Sequence, residues 1–232
     1  VGATLSWTDV DVNSDADHDV WQAVVGNHED TDVADGNQYL LAAITRGGGL
    51  PGEPRKIYVG TYDETGTTPY AGSSWLEAVV NDSDGNSTDP TFLSDVAVSS
   101  DGKYLAAASG SPGQPGGTVY YSSDFGQTWE EPPGLTNRWY SGITITDDGN
   151  EIFFVSNDDS GSGGGLWQSP NALGLIFRYD DESTDDLFEV SDNTWHISAS
   201  ATGGTSQVVA AVKYDGNLFI STDGGFSWEL KQ

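Results

Sequence analysis

Two eight-residue stretches limit most sharply what this chain can become: Ser122 to Trp129, SSDFGQTW, and Ser221 to Trp228, STDGGFSW. Both fit Ser-x-Asp-x-Gly-x-x-Trp. Each follows directly on an alternating, strand-like run, Thr118 to Tyr121 and Asn217 to Ile220. The residue types suit a tight turn between two strands. The carboxylates of Asp124 and Asp223 can accept backbone N–H bonds as in an Asx-turn, and the hydroxyls of Ser122 and Ser221 can assist. Gly126 and Gly225 supply a positive φ. Trp129 and Trp228 then open the next strand with a large ring to pack beneath the turn.

The pattern resembles the Asp-box, or BNR repeat, found in sialidases, sortilin-type receptors, some large glycoside hydrolases and photosystem assembly factors. The resemblance implies a turn between the third and fourth strands of a β-propeller blade. It also implies a structural role for Ser122, Asp124, Gly126, Trp129, Ser221, Asp223, Gly225 and Trp228.

Alignment on the two stretches exposes a longer repeat. Leu93 to Glu131 reads as strand, Asp-Gly hairpin, strand, Gly/Pro-rich loop, strand, box, strand. Tyr140 to Asp180 repeats this, with Asp148-Gly149 matching Asp101-Gly102 and a degenerate box at Ser169, Asn171 and Phe177. His196 to Gln232 is the last copy. The first, Trp21 to Val79, is the longest, with Trp75 standing for the box tryptophan. No stretch carries a helical apolar stripe. The expected fold is therefore all-β: one β-propeller domain over residues 1–232, with about four four-stranded blades. The repeats run over about 21–92, 93–138, 139–194 and 195–232, after an N-terminal strand and acidic loop at 1–20. A two-sheet sandwich is the alternative.

Ala3 to Trp7 resembles the box-to-fourth-strand segment at Gly225 to Trp228, so the chain carries one fourth-strand-like segment more than its four sets of first three strands. The spare segment could close the ring, add to the sheet edge of a neighbouring molecule, or mark the chain as part of a larger ring or assembly.

Charge narrows the partners. Eight basic against 36 acidic residues give a net charge of −28. Nucleic acid needs a basic footprint, and an anionic membrane surface is equally disfavoured. No apolar run approaches the roughly 20 residues of a membrane-spanning helix. The acid excess suits a surface adapted to high salt, or cation binding. The chain has no Cys and no Met. Val1 in place of Met suggests a processed or trimmed chain.

The acid is clustered. Asp9, Asp11, Asn13, Asp15 and Asp17, followed by Asp19, concentrate oxygen ligands in one segment, as Ca²⁺ requires. A second cluster holds Asp82, Asp84, Asn86 and Asp89, with Gly85 allowing a sharp bend. Neither has the glycine and glutamate of an EF-hand loop. Two more, Glu29 to Asp35 and Asp180 to Asp192, read as solvated acidic surface. Ca²⁺ is the one cofactor expected. Asn81-Asp82-Ser83 and Asn86-Ser87-Thr88 are N-glycosylation sequons, which fit an extracellular or cell-surface protein.

Catalytic machinery is not evident. The likeness to sialidases would require three arginines for a substrate carboxylate, a Tyr nucleophile assisted by Glu, and an Asp acid/base. The chain has Arg46, Arg55, Arg138 and Arg178 but no Phe/Tyr-Arg-Ile-Pro motif near its start. Carboxylate pairs are plentiful and none is singled out. His18, His28 and His196 have no metal-ligand spacing. The expectation is a non-enzymatic structural, assembly or adhesion protein that associates with itself or with another surface protein. The alternative is a carbohydrate-binding module or glycoside hydrolase fragment that meets glycan through exposed aromatics such as Trp139, Tyr140 and Trp167.

Overall fold

A computed structural model of the chain describes residues 19–28, 38–46, 55–63, 76–90, 92–111, 116–133, 135, 138–146, 148–157, 165–170, 177–178, 195–199, 208–213, 217–224 and 227–231. These residues are all-β, with no helix among them. The first sheet takes β1 (Asp19–His28), β2 (Gln38–Arg46), β3 (Ile57–Asp63) and β4 (Leu76–Glu77). A short β5 (Val79–Asn81) follows. The second sheet takes β6 (Leu93–Val98), β7 (Leu105–Ser109), β8 (Val119–Ser122) and β9 (Thr128–Glu130), and β5 joins it beyond β9. The third takes β10 (Trp139–Ile145), β11 (Glu151–Asn157), β12 (Gly165–Pro170) and β13 (Phe177–Arg178). The fourth takes β14 (Trp195–Ala199), β15 (Val209–Lys213), β16 (Leu218–Ser221) and β17 (Glu229–Lys231).

Apart from β5, successive strands within each sheet pair antiparallel in chain order. The first strands of the sheets succeed one another through the molecule. β6 packs against β1 and β2 on one side and β10 on the other, and β10 packs in turn against β14. Among the described residues the sheets form an open array, not a closed ring. Three first strands carry a bulge near their start, between Val20 and Gln22, Leu93 and Asp95, and Tyr140 and Gly142. A bulge re-aims side chains locally. Here the Ser94 hydroxyl donates to the Tyr140 carbonyl, and the Asp95 carboxylate accepts from the Ile143 amide at 2.8 Å, so β6 is bonded to β10.

The core lies between sheets. Ala42, Ile44, Ile57 and Val59 of the first sheet meet Val80, Leu93, Val96, Leu105, Tyr120 and Trp129 of the second. Tyr121, Val119 and Ala106 face Tyr140, Ile143, Ile152 and Phe154 of the third. Val155 and Leu166 face Ala211 and Phe219 of the fourth. Each such burial contributes roughly 1.5–3 kcal/mol for a large aliphatic or phenyl side chain. The middle sheets are covered on both faces, so β7 is buried at every residue, as is β11 from Ile152 to Ser156. That is why LAAAS and IFFVS read as continuous apolar runs with no alternation.

The second sheet departs from the expected four strands. After the two-residue β4, the chain swings outward and β5 runs parallel to β9, pairing Val79 with Thr128 and Val80 with Trp129. Val80 is buried there, while Ala78 still donates to the Ile57 carbonyl of the first sheet at 2.9 Å. β5 thus ties the two sheets together at their outer edges. Its own free side is covered by the segment that follows: Thr88 donates to the Val80 carbonyl at 2.8 Å, and Asn81 bridges Ser87.

Candidate functional site

The first Ser-x-Asp-x-Gly-x-x-Trp stretch is the turn from β8 to β9, the third to the fourth strand of its sheet. Ser122 donates its hydroxyl to Asp124 Oδ1 at 2.8 Å and accepts the Gly126 amide at 3.0 Å. Asp124 Oδ1 also accepts the Thr128 amide at 2.9 Å, and Oδ2 accepts the Thr128 hydroxyl at 2.6 Å. Trp129 is fully buried and donates Nε1 to the Gly126 carbonyl at 2.9 Å. The backbone is left-handed at both Phe125 (φ +61°) and Gly126 (φ +76°). The sequence pattern signals only the second of these. A Cβ on Gly126 would lie 2.6 Å from Val59 Cγ2 of the first sheet, so the turn is seated against its neighbour.

The second stretch repeats the device between β16 and β17. Ser221 donates to Asp223 at 2.7 Å, and Asp223 accepts the Ser227 amide at 2.9 Å and the Ser227 hydroxyl. Gly224 takes φ +74°, matching Phe125, and its carbonyl accepts from Gln168 of the third sheet at 3.3 Å. Trp228 packs against the core between the third and fourth sheets. Gly225 lies outside the described residues, as does Trp75.

Both turn carboxylates are held in their ionised form. Burial alone would raise the Asp124 carboxyl, but the hydrogen bonds from Thr128, Ser122 and the Gln127 amide outweigh it and keep it below its ordinary range. The Ser227 hydroxyl is the leading reason that Asp223 lies low.

The same chemistry recurs where sequence reasoning saw only Asp-Gly hairpins. Between β6 and β7, Ser99 donates to Asp101 at 2.6 Å, Asp101 accepts the Lys103 amide at 3.0 Å, and the Ser99 hydroxyl accepts the Tyr104 amide at 3.0 Å. Between β10 and β11, Thr146, Asp148, Asn150 and Glu151 make the matching set. The readable signal was Ser/Thr two residues before the Asp, as in the boxes. By strand order, both kinds of turn lie at the same end of the sheet. The Phe125 amide donates to the Lys103 carbonyl at 3.0 Å, joining the two turns of the second sheet. Gly149 of the third sheet presses on Tyr104 of the second, where a Cβ would come within 1.9 Å of the ring.

Of the calcium candidates, Asp9, Asp11, Asn13, Asp15 and Asp17 lie outside the described residues. Asp82, Asp84, Asn86 and Asp89 lie on the segment that covers β5. Asp82 Oδ1 accepts the amides of Asp84 at 3.0 Å and Asn86 at 2.8 Å, and the Asn86 bond is the main reason its carboxyl titrates low. Asp89 accepts from Lys56 at 3.1 Å, which also bonds Glu77 at 2.6 Å. Among the described residues no three His, Cys, Asp or Glu side chains gather as a metal site would need.

Of the aromatics proposed for glycan, Trp139 and Tyr140 start β10 at the end opposite the boxes and Trp167 lies mid-strand in β12, and they are largely committed. Tyr140 is fully buried, edge-on to Phe154 at 5.5 Å, which corrects its expected exposure. Its ring belongs to the core cluster between the second and third sheets, with Val119, Tyr121 and Ile143. Trp167 stacks on Phe154 at 6.2 Å, donates Nε1 to Ser156 at 2.9 Å and lies beneath Arg138. Trp139 is half-buried. Arg55 lies over Phe92 and donates to the Leu93 carbonyl at 2.8 Å, so it links the first two sheets.

No protein-family model matches the chain, and no curated protein sequence matches it. Among solved structures the chain is similar to a Hadza microbial sialidase, at 13% identity and a TM-score of 0.55 over 91% of this chain and 45% of that one. It is also similar to an ancestral GH74 enzyme, at 13% identity and a TM-score of 0.58 over 93% of this chain and 27% of that one. Both are β-propellers, and the likeness shows a β-propeller type of fold. The chain spans less than half the length of either.

Proposed function

We propose that the chain is a non-enzymatic Asp-box β-propeller, its four sheets acting as blades, that serves outside the cell as a structural, assembly or adhesion module. One observation carries the reading. The carboxylates of Asp124 and Asp223 are spent on the amides and hydroxyls of their own turns, and the first turn is seated on the neighbouring sheet through Gly126. Groups used in this way supply architecture, and a general acid or nucleophile would instead need an open side aimed at substrate. Arg55 and Arg138 are likewise engaged with Phe92 and Trp167.

Within this proposal the segment from Asn81 to Asp89 is an edge cover for β5. Lining an exposed strand with charge and a tight turn prevents unwanted pairing. The calcium candidate is the segment Asp9 to Asp17, whose five alternating oxygen-bearing side chains suit a hard cation. A high-salt milieu fits the net charge of −28. The carbohydrate-binding alternative is not favoured, because Tyr140 and Trp167 are packed.

A glycan array combined with melting curves in calcium tests the proposal. The expected outcome is no specific glycan bound and a rise in melting temperature at millimolar Ca²⁺. Specific capture of one sugar class would replace the scaffold reading, and an unchanged melting temperature would remove the metal from it.

A further inference from the structure

We infer that Asn86 is the attachment site of an N-linked oligosaccharide and that the neighbouring Asn81 is not. The inference rests on the reading that the chain serves outside the cell, where such glycans are displayed. The sequence offers two acceptor triplets, Asn81-Asp82-Ser83 and Asn86-Ser87-Thr88, and no local reason to choose between them. The fold separates them. From Val80 to Thr88 the chain is a small hairpin. Asp82 donates its amide to the Asn86 carbonyl at 2.8 Å, Thr88 donates to the Val80 carbonyl at 2.8 Å, and Gly85 donates to the Asp82 carbonyl at 2.9 Å. Ser83 through Ser87 are all exposed, so the tip of the hairpin faces water. Gly85 takes φ +80° at that tip, and among the described residues no atom lies within 4 Å of where its Cβ would stand. A bulky substituent on the next residue, Asn86, therefore meets solvent.

The second triplet is also shaped for the reaction. Asn86 to Thr88 run extended beside β5, so the side chains of Asn86 and Thr88 share one face and Ser87 takes the other. One enzyme site can then hold the carboxamide together with the hydroxyl two residues on. Asn86 Nδ2 lies 3.4 Å from each Asp82 carboxylate oxygen, at the long limit of a hydrogen bond. Of its two hydrogens only one is lost on glycosylation, and the other still meets Asp82. Asn81 differs on each count. It is half-buried in β5, paired with Glu130 of β9 on one side and with Ser87 on the other, and its carbonyl accepts the Glu131 amide at 3.2 Å. Its triplet leaves the strand at Asp82 and enters the turn at Ser83, so Asn81 and Ser83 share no extended stretch. The step is a glycosyl transfer from a polyprenyl-phosphate-linked oligosaccharide. Asn86 Nδ2 bonds to the anomeric carbon as the bond from that carbon to the phosphate oxygen breaks. The lipid phosphate leaves with the electron pair, and one amide proton passes to a base of the transferase. Asn86 is then set aside as a calcium ligand, because the sugar crowds its carboxamide.

The full chain, routed by an added leader through a eukaryotic secretory pathway, tests the site by intact-mass spectrometry and glycopeptide mapping. Parent, Asn81→Gln, Asn86→Gln and Thr88→Val chains are compared before and after treatment with a peptide N-glycosidase. The expected result is a single glycan on the parent and on Asn81→Gln, mapped to Asn86, and its complete loss from Asn86→Gln and Thr88→Val. Thr88→Val removes the hydroxyl and keeps the carboxamide, so the two variants abolish the glycan by separate routes. A secreted parent without glycan, a glycan mapped to Asn81, or a glycan that persists in either Asn86→Gln or Thr88→Val would each overturn the inference. The added leader delivers the chain to the transferase wherever the chain naturally resides. A chain found to act inside its own cells would therefore contradict the broader reading and leave these results unchanged.

Discussion

Gly126 of the second sheet lies against Val59 of the first, so closely that a methyl group on the glycine would sit 2.6 Å from Val59 Cγ2. The turn and the sheet-to-sheet contact are therefore one feature. Replacing Gly126 with Ala should destabilise the protein by roughly 1–3 kcal/mol, from the left-handed backbone and the overlap together. Chemical denaturation measures it. Adding Val59→Ala should restore part of the loss in a double-mutant cycle, since the two residues share one space. Strict additivity would mean that backbone strain acts alone.

Asp124 provides a pH signature. Its folded carboxyl titrates below the ordinary 3.8, so the turn contributes stability that is present above about pH 4 and is lost as pH falls through the lower folded value. Asp124→Asn should therefore cost about 1–2 kcal/mol at neutral pH, a value reduced for partial exposure. The difference from the parent protein should shrink towards zero below that window. Denaturant midpoints from neutral to acid pH report it directly.

Ser122 and Ser169 hold matching places in an intact and a degenerate box. Ser122 is bonded to Asp124 and Gly126, whereas the buried Ser169 hydroxyl has no hydrogen-bond partner among the described residues. Ser122→Ala should lose about 1 kcal/mol or slightly more, and Ser169→Ala should be neutral or stabilising by up to about 1 kcal/mol. Equal losses at the two sites would contradict this assignment.

Glu151 carries the opposite sign to Asp124. Burial, then the charge of Asp148, raises its carboxyl, and its Oε2 is buried without a hydrogen-bond partner among the described residues. A raised carboxyl costs stability above its unfolded value. Glu151→Gln should accordingly raise the melting temperature at pH 7 and have little effect near pH 4, while keeping an amide to meet Gln168.

Much of this was legible in the residues. SSDFGQTW and its flanking runs identify a β8–turn–β9 unit because Asp, Gly and Trp each have a local task there. The strand-rich pattern with no helical stripe leads to an all-β chain with a propeller likeness. The parallel β5 was not legible. Val79 to Asn81 looks like any short strand, and its choice of β9 as a partner depends on Trp129, distant in sequence, offering Val80 a buried seat. The Ser99 and Thr146 turns were half-seen, since Asp-Gly alone explains a hairpin and hides the hydroxyl two residues earlier. Tyr140 was misjudged as exposed because alternation cannot say whether a first strand is covered on one face or two. That depends on sheet-to-sheet packing, which local pattern does not encode.

The claim that the boxes are architecture is tested most directly by turnover of fluorogenic sialosides and β-glucosides by the parent chain and by the Asp124→Asn, Asp223→Asn double variant. Stability should be followed in the same samples. The expected result is no hydrolysis above buffer by either protein, with the double variant unfolding at lower denaturant. Hydrolysis by the parent chain that disappears in a double variant of unchanged stability would contradict it.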